Sequence, residues 1–198
     1  MSFAAVPFNA VAARLHPSRA DLFAKSPVNL AAIRGANPDP GHNPFARYDD
    51  VILACIRGVI TQWVASTDPS WALVVHPVTN EGAAQLRPGI HLFRQHLMHA
   101  GTPREHPCLG QAEEVAVNRL DSAGRVVRAE SGQFGICIHS GGEGMETGRF
   151  SAGCQIIQNN DGYFCDPTWS RFWLPVRDAM NALGLKTVPY LLLNKSDL

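Results

Sequence analysis

The chain has 198 residues, of which 45% are hydrophobic and 17% charged, and its 17 Gly and 14 Pro are typical of one turn-rich globular domain rather than a disordered or coiled-coil chain. Lys and Arg together number 17, as do Asp and Glu, so the formal net charge is zero and nucleic acid is not an expected partner. No run approaches the roughly 20 apolar residues of a membrane-spanning helix, so integral membrane association is not expected either.

The first 44 residues are expected to form an N-terminal arm or linker that packs on the main body, which would occupy residues 45–198. Residues 1–13 are apolar but lack the basic start of a Sec signal peptide. A substrate outside the cytoplasm would then be reached by phage-type lysis or by a specialised secretion system. A short helix is expected over residues 18–25, and the turn-forming residues at 35–44 predict a loop.

The main body contains short β-branched or apolar runs separated by Gly, Pro, Asn and Asp, which predicts a mainly β (α+β) barrel or sandwich. The Asp-Ser-Ala-Gly stretch at 121–124 is typical of a hairpin loop. An amphipathic C-terminal helix is predicted over residues 169–183, because its apolar residues recur at helical spacing and Gly184 follows. The predicted strands cover residues 50–56, 58–65, 89–94, 114–119, 132–139, 154–157 and, as a buried closing strand, 188–193.

The five cysteines are sparse and odd in number, so they do not predict a disulfide framework. Cys55 lies inside an apolar run and is interpreted as a small buried hydrophobic residue. Cys137 lies two residues before His139 and would share its strand face. Three interpretations of Cys137 stay open: core packing, a redox partner of Cys154, or a metal ligand together with His139, Cys154 and Cys165. Neither a metal nor another cofactor is expected.

An apolar strand that ends at His139 is followed by a Gly-rich loop and by a small-residue turn that presents Cys154. A thiol with the ordinary pKa of about 8.5 is mostly protonated at neutral pH, so a nucleophilic Cys needs a neighbouring imidazole. We predict that Cys154 is a catalytic nucleophile and His139 its base, against the alternative that both are structural. The N–H groups of Gly153 and Cys154 are expected to stabilise an oxyanion, and a carbonyl group of residues 140–142 to accept the second imidazole proton.

A family resemblance appears in the same motif. His139-Ser140 followed by Ser151-Ala152-Gly153-Cys154 resembles the His-Ser…Ser-His-Gly-Cys signature of L,D-transpeptidase catalytic domains, with Ala152 in place of the usual His. In that family the Cys forms a thioester with a peptidoglycan stem peptide, and the first His acts as its base. The resemblance implies an L,D-transpeptidase-like fold, bacterial peptidoglycan as the partner, and Cys154, His139, Ser140 and Gly153 as catalytic residues. Substrate contacts are expected from Ser151, Gln155, Gly141, Arg149, Glu143, His96 and His99.

A second resemblance, to proteins encoded by phages and prophages, covers most of residues 33–193. It rests on residues 33–35, 48–50, 66–70 and 86–89, on the His-Ser-Gly-Gly segment and on Gly-Cys-Gln at 153–155. This setting favours hydrolysis of a stem-peptide amide over cross-linking. Two alternatives stay open: a glycan-strand-cleaving wall hydrolase on the same fold, which needs paired carboxylates about 5 to 10 Å apart, and a non-catalytic module of a phage particle or secretion system.

Overall fold

The computed structural model describes residues 6–37, 41–159 and 167–198. Its helices are α1 (Phe8–Leu15), α2 (Ala20–Ala24), α3 (Trp71–Val75) and α4 (Pro167–Ala182), with short 3-10 turns at Pro44–Ala46 and Lys195–Asp197. Its strands are β1 (Val28–Arg34), β2 (Asp50–Ile56), β3 (Val59–Ser66), β4 (Ala83–Leu86), β5 (Gly89–Met98), β6 (His106–Gln111), β7 (Val115–Leu120), β8 (Val126–Gly132), β9 (Cys137–Ser140), β10 (Gln155–Ile157) and β11 (Val188–Asn194).

Eight of these strands close into a barrel in the order β1, β11, β5, β6, β9, β10, β3, β2, and β4, β7 and β8 form a separate sheet. The prediction of a mainly β protein with a C-terminal helix is confirmed. Of the two predicted architectures, barrel and sandwich, the closed sheet is a barrel. None of the helices in the described ranges has the length and apolar character needed to cross a bilayer.

The local sequence patterns locate several elements correctly. The runs predicted at 50–56, 58–65, 114–119, 154–157 and 188–193 form β2, β3, β7, β10 and β11, each within one residue at either end. The hairpin predicted at 121–124 joins β7 to β8, and Asp121 Oδ1 accepts the N–H groups of Ala123 and Arg125 at 2.9 Å each. The C-terminal helix is also present as α4, and Gly184 follows it with a φ of +64°.

Other elements are not predicted by the patterns, namely α1, α3, β1, β4, β6 and β8. β8 is exposed or half-buried along its whole length, so it has no apolar alternation. β6 contains Pro107, a residue that argues against a strand when only the sequence is read. The strand predicted over 132–139 divides in two, because Gly135 adopts a φ of +70° between the end of β8 and the start of β9.

The predicted N-terminal arm has two different parts. β1 pairs in parallel with β11 and antiparallel with β2, so residues 28–34 form a strand of the barrel. α1 and α2 pack against the outside of the barrel, where Phe8 and Phe23 are buried with Leu53. Strands with apolar groups on both faces, such as β11, have continuous hydrophobic runs instead of alternating ones.

The barrel interior is an apolar core to which the buried face of α4 also belongs. Phe93 and Tyr190 pack edge to face in it, with ring centroids 5.4 Å apart. Phe172 and Met180 of α4 belong to the same buried cluster, and Phe172 meets Trp63 of β3 edge to face at 6.2 Å. This core fixes which face of each barrel strand points inward.

Candidate active site

β9 lies between β6 and β10 in the barrel wall, and its side chains alternate between two faces. Ile138 is fully buried in the barrel core, so Cys137 and His139 on either side of it face outward. β10 runs parallel to β9 and pairs Ile156 with His139, which places Cys154, the residue before β10, beside β9. The structure therefore brings the Cys154 thiol and the His139 imidazole to the same outer face.

The His139 ring is fixed by a hydrogen bond to the backbone. Its Nδ1 lies 2.7 Å from the Ser140 carbonyl oxygen, which can only accept, so we assign the proton of the neutral ring to Nδ1. Ser140 is one of the three residues whose carbonyl groups were candidates for this contact. Its hydroxyl accepts a hydrogen bond of 3.1 Å from Asn159 Nδ2. With Nδ1 protonated, Nε2 carries the lone pair that a general base needs.

The Cys154 thiol is partly exposed, and its neighbours act on its pKa in opposite directions. A hydrogen bond with the Cys137 thiol, followed by burial, raises the pKa of Cys154 well above its ordinary value, whereas the His139 imidazole lowers it. The Cys137 N–H also donates to the sulfur, with N and Sγ 3.4 Å apart. Because the raising effects dominate, the resting thiol is protonated at neutral pH and needs a base at the moment of attack.

Cys154 is one of three free thiols that contact one another in succession. Its neighbour Cys137 also contacts Cys108 of β6, and that contact, with burial, raises the pKa of Cys137 to about 12 against a lowering effect of Cys154. Among residues 6–37, 41–159 and 167–198, no group of three or more His, Cys, Asp or Glu is arranged to hold a metal ion. Cys165, from the alternative ligand set, lies outside the described residues. Cys55, predicted to be buried, is half-buried on β2.

Ser151 shapes the turn that presents Cys154. Its hydroxyl accepts the Gly153 N–H at 3.1 Å and donates to the Cys154 carbonyl oxygen at 2.7 Å. The side chain is fully buried, and the structure does not bring it to the lining of the cavity beside the thiol, where a substrate contact was predicted. The Gly153 N–H is used by this contact as well. Of the two N–H groups predicted to stabilise an oxyanion, that of Cys154 is the one that remains for a substrate oxygen.

Gly153 is required by its backbone geometry. Its φ of +146° lies in a region that favours glycine, and a Cβ at this position would collide with the Ala84 carbonyl oxygen of β4. The Ala84 N–H in turn donates to the Ala152 carbonyl oxygen at 3.3 Å. The small sheet therefore also holds the turn, through Ala84 of β4.

Gln155 points into the barrel and not toward the thiol. Its side chain is fully buried, with Nε2 donating to the Gly153 carbonyl oxygen at 3.2 Å and Oε1 accepting the Tyr190 hydroxyl at 2.9 Å. The structure therefore does not bring Gln155, a predicted substrate contact, to the cavity beside Cys154. Its side chain instead connects the turn to the barrel core.

The Gly-rich loop after β9 is held by hydrogen bonds from its own backbone. The Gly141 N–H donates to the Ile157 carbonyl oxygen at 2.8 Å, and the Gly142 N–H donates to the Tyr48 hydroxyl at 2.7 Å. Gly141 is buried, Glu143 is exposed, and neither lines the cavity beside the thiol. The structure does not bring these two predicted substrate contacts to Cys154.

A cavity of about 620 Å³ opens beside Cys154 and His139. Among the predicted site residues, Ser140, Arg149 and His99 also line it, whereas His96 is exposed on β5 outside the lining. The sequence patterns do not identify the remaining lining residues, which are Leu73, Met98, Arg104, His106, Phe150 and Ala152.

His106 connects the cavity mouth to His139. Its ring centroid lies 5.8 Å from that of His139 and 5.8 Å from that of the exposed His99. Its Nδ1 is 2.8 Å from the Arg104 carbonyl oxygen, and burial lowers the pKa of His106. His106 and Cys108 are two residues apart, which in a strand places both side chains on one face. Pro107 lies between them and argues against a strand, so the sequence alone does not reveal this arrangement.

A second buried polar cluster joins β1 and β2 to the segment after β3, and none of its members lines the cavity. Asp50 accepts hydrogen bonds from the Thr67 N–H at 2.6 Å and the Thr67 hydroxyl at 2.7 Å. Arg34 Nε lies 2.9 Å from Asp68 Oδ1 in a buried ion pair. Burial, followed by the charges of Asp68 and Asp49, raises the pKa of Asp50 to about 7, against a lowering effect of Arg34.

Comparison with known proteins finds no match for this chain among protein families, curated proteins or solved structures. The relationship implied by the His139 and Cys154 motifs therefore stays a prediction.

Proposed function

We propose that this chain is a cysteine-dependent, peptidoglycan-active enzyme that hydrolyses an amide of the stem peptide or cross-link through a Cys154 thioester. It would do so on an L,D-transpeptidase-like fold, in phage-type lysis or an antibacterial role. The observation that carries the proposal is the contact of the Cys154 thiol with the His139 imidazole at an accessible cavity. Such a pair supports acyl-transfer chemistry in general, and the resemblance to L,D-transpeptidases supplies the substrate.

The proposed reaction has two steps. In the first, His139 Nε2 takes the thiol proton as Sγ attacks the amide carbonyl carbon, and the oxyanion accepts a hydrogen bond from the Cys154 N–H. The C–N bond then breaks, and the imidazolium gives its proton to the leaving amine. In the second, His139 takes a proton from water, the hydroxide attacks the thioester carbonyl, and the C–S bond breaks as the imidazolium returns its proton to the leaving sulfur, which restores the thiol. His139 acts as a general base here because the resting thiol is protonated.

The lining of the cavity favours an amide over a glycosidic bond as the target. No Asp or Glu is among the described residues that line it. Glycan cleavage usually relies on two carboxyl groups about 5 to 10 Å apart.

One observation favours a second candidate, a non-catalytic module of a phage particle or secretion system. The pKa of Cys154 is raised, and a thiol that stays protonated is a weak nucleophile at neutral pH. A module of this kind would bind sacculi without cutting them.

Digestion of purified sacculi tests the proposal. Cys154→Ala should lower the rate of product release by about a thousandfold or more, because the nucleophile is removed. Cys55→Ala, which removes a thiol that does not line this cavity, should leave the rate unchanged. Mass spectrometry of the products should show shortened stem peptides and intact glycan ends. A Cys154→Ala variant that digests sacculi as fast as the parent would refute the proposal, and sacculi bound intact by the parent would support the non-catalytic module.

A further inference from the structure

Cys137 has no part in the proposed hydrolysis, although its thiol is hydrogen-bonded to the thiol of Cys154. The Cys137 N–H also donates to the Cys154 sulfur, with N and Sγ 3.4 Å apart. Both sulfurs contact the Gly135 carbonyl oxygen, which lies 3.5 Å from Cys137 Sγ and 3.9 Å from Cys154 Sγ. The two thiols therefore lie side by side, with the Gly135 carbonyl group as a common neighbour.

The backbone at this pair has a spacing that suits a disulfide. Gln155 pairs with Ile138 in the parallel ladder of β9 and β10, and Cys154 and Cys137 are the residues that immediately precede these two. Neighbouring strands are about 4.8 Å apart, and a disulfide bridges Cα atoms about 4.4 to 6.8 Å apart. A bond between the two sulfurs is therefore compatible with the barrel wall as it stands.

The two thiols differ in their access to solvent. Cys154 lines the cavity beside His139 and also a second cavity of about 380 Å³, which is lined by Ala84 of β4. Cys137 is 4% exposed and lines neither cavity, and Cys108, the third thiol, is fully buried. A small reagent therefore meets Cys154 first, and Cys137 can react only with what Cys154 has already bound.

We infer that Cys154 and Cys137 form a reversible disulfide by exchange with a small-molecule disulfide such as glutathione disulfide. In the first step His139 takes the Cys154 proton as Sγ attacks one sulfur of the small disulfide, whose S–S bond breaks, and one small thiol leaves with that proton. In the second step Cys137 Sγ attacks Cys154 Sγ, the S–S bond of the mixed disulfide breaks, and the second small thiol leaves with the Cys137 proton. The two protein thiols are oxidised, and the small disulfide is reduced to two thiols.

The surroundings of the pair set the rates of these two steps. Hydrogen bonds between neighbouring thiols, together with burial, raise the pKa of both Cys137 and Cys154, so the exchange should be slow at neutral pH and faster as pH rises. Once Cys154 carries a mixed disulfide, Cys137 has an advantage over thiols in solution, because it is already in position. The disulfide forms independently of the proposed function, and only its effect on hydrolysis, the loss of the nucleophile, rests on that function.

Peptide mapping of the full chain tests the inference. The chain is equilibrated in glutathione buffers of increasing oxidised fraction at about pH 8.5, where a larger share of each thiol is ionised. Free thiols are then blocked with iodoacetamide. Digestion with trypsin and Asp-N separates Cys137, Cys154 and Cys165, which fall on the peptides 129–149, 150–160 and 161–165. Mass spectrometry should show 129–149 linked to 150–160, in about tenfold excess or more over the mixed disulfide of Cys154 with glutathione.

Two variants identify the thiol that resolves the mixed disulfide. Cys137→Ala should leave the mixed disulfide of Cys154 with glutathione as the main product, because no neighbouring thiol displaces the glutathione. Cys55→Ala removes a half-buried thiol of β2 that lines neither of the two cavities, and it should give the same linked peptides as the parent. Digestion of sacculi by the parent should fall as the linked peptides accumulate and should recover after treatment with dithiothreitol.

The outcomes separate this inference from the proposed function. A mixed disulfide that persists in the parent as it does in Cys137→Ala overturns the inference, as do a link of Cys154 to Cys165, a link of Cys137 to Cys108, or thiols that stay free in every buffer. If the linked peptides form but the reduced parent releases no product from sacculi, the disulfide stands and the proposed function fails. If the parent digests sacculi through Cys154 but yields no linked peptides, the disulfide fails and the proposed function stands.

Discussion

The hydrogen bond between Tyr190 and Gln155 connects the barrel core to the turn that presents Cys154, and Tyr190→Phe removes it with little other change. The substitution keeps the fully buried ring and its edge-to-face contact with Phe93. It deletes the hydroxyl that donates to Gln155 Oε1 at 2.9 Å and leaves that oxygen buried without this donor. A buried acceptor that loses its partner costs about 1 to 3 kcal/mol, from which the gain of no longer burying the hydroxyl is subtracted.

We therefore expect Tyr190→Phe to lower the free energy of unfolding by about 1 to 2 kcal/mol. For a chain of this size the corresponding drop in Tm is about 2 to 8 °C. Urea unfolding and calorimetry of the parent and the variant measure both quantities.

A double-mutant cycle shows whether this cost comes from the hydrogen bond. Gln155→Met keeps the approximate shape of the side chain but removes the acceptor. In that background Tyr190→Phe should cost less than about 0.5 kcal/mol, because neither partner is then left unsatisfied. An equal cost in both backgrounds would refute the assignment of Gln155 as the partner that Tyr190 holds in place.

Three further predictions concern the turn, the buried carboxylate and the thiol. Gly153→Ala should lower the free energy of unfolding, measured by urea unfolding, by about 2 kcal/mol or more, because both its φ of +146° and the adjacent carbonyl group of β4 oppose a Cβ. The control is Gly144→Ala, where the added Cβ meets no atom within 4 Å. That substitution should cost only about 1 kcal/mol. The pKa of Asp50 is raised from 3.8 to about 7, so the folded protein binds this proton more tightly than the unfolded chain does. The free energy of unfolding should therefore fall as pH rises from about 4 to about 7, and Asp50→Asn should remove that part of the fall. Cys137→Ala should lower the pKa of Cys154, because it removes the hydrogen bond that raises this pKa most. Alkylation of Cys154 by iodoacetamide, followed by peptide mass spectrometry, should then begin at lower pH than in the parent.

Each of these has an outcome that contradicts it. Equal losses of stability for Gly153→Ala and Gly144→Ala would show that the close approach of β4 has no effect. If the stability of Asp50→Asn depends on pH as that of the parent does, the titration of Asp50 does not cause the predicted fall. An unchanged pH profile of Cys154 alkylation in Cys137→Ala would mean that the neighbouring thiol does not set the pKa.

Local patterns in the sequence determine the elements that depend on near neighbours. The β7–β8 hairpin follows from Asp121, whose carboxylate accepts N–H groups only two and four residues further along the chain. α4 follows from helical spacing, and β2 from an uninterrupted apolar run. The candidate pair of Cys154 and His139 was also accessible from the sequence, because each stands at the end of a short apolar strand beside small residues.

Tertiary structure decided how these strands are arranged and which side chains reach the cavity. β1 joins the barrel through its parallel pairing with β11, a contact between residues some 160 positions apart that no local pattern encodes. Gln155 points inward and Cys154, the residue before it, points outward, because the barrel core sets the inward face of β10, and alternation alone leaves that choice open. Arg104 and His106 reach the cavity through the pairing of β5 with β6. The sequence by itself thus determined the candidate nucleophile and base, while Arg104 and His106 beside them depend on long-range strand pairing and so became apparent only in the folded chain.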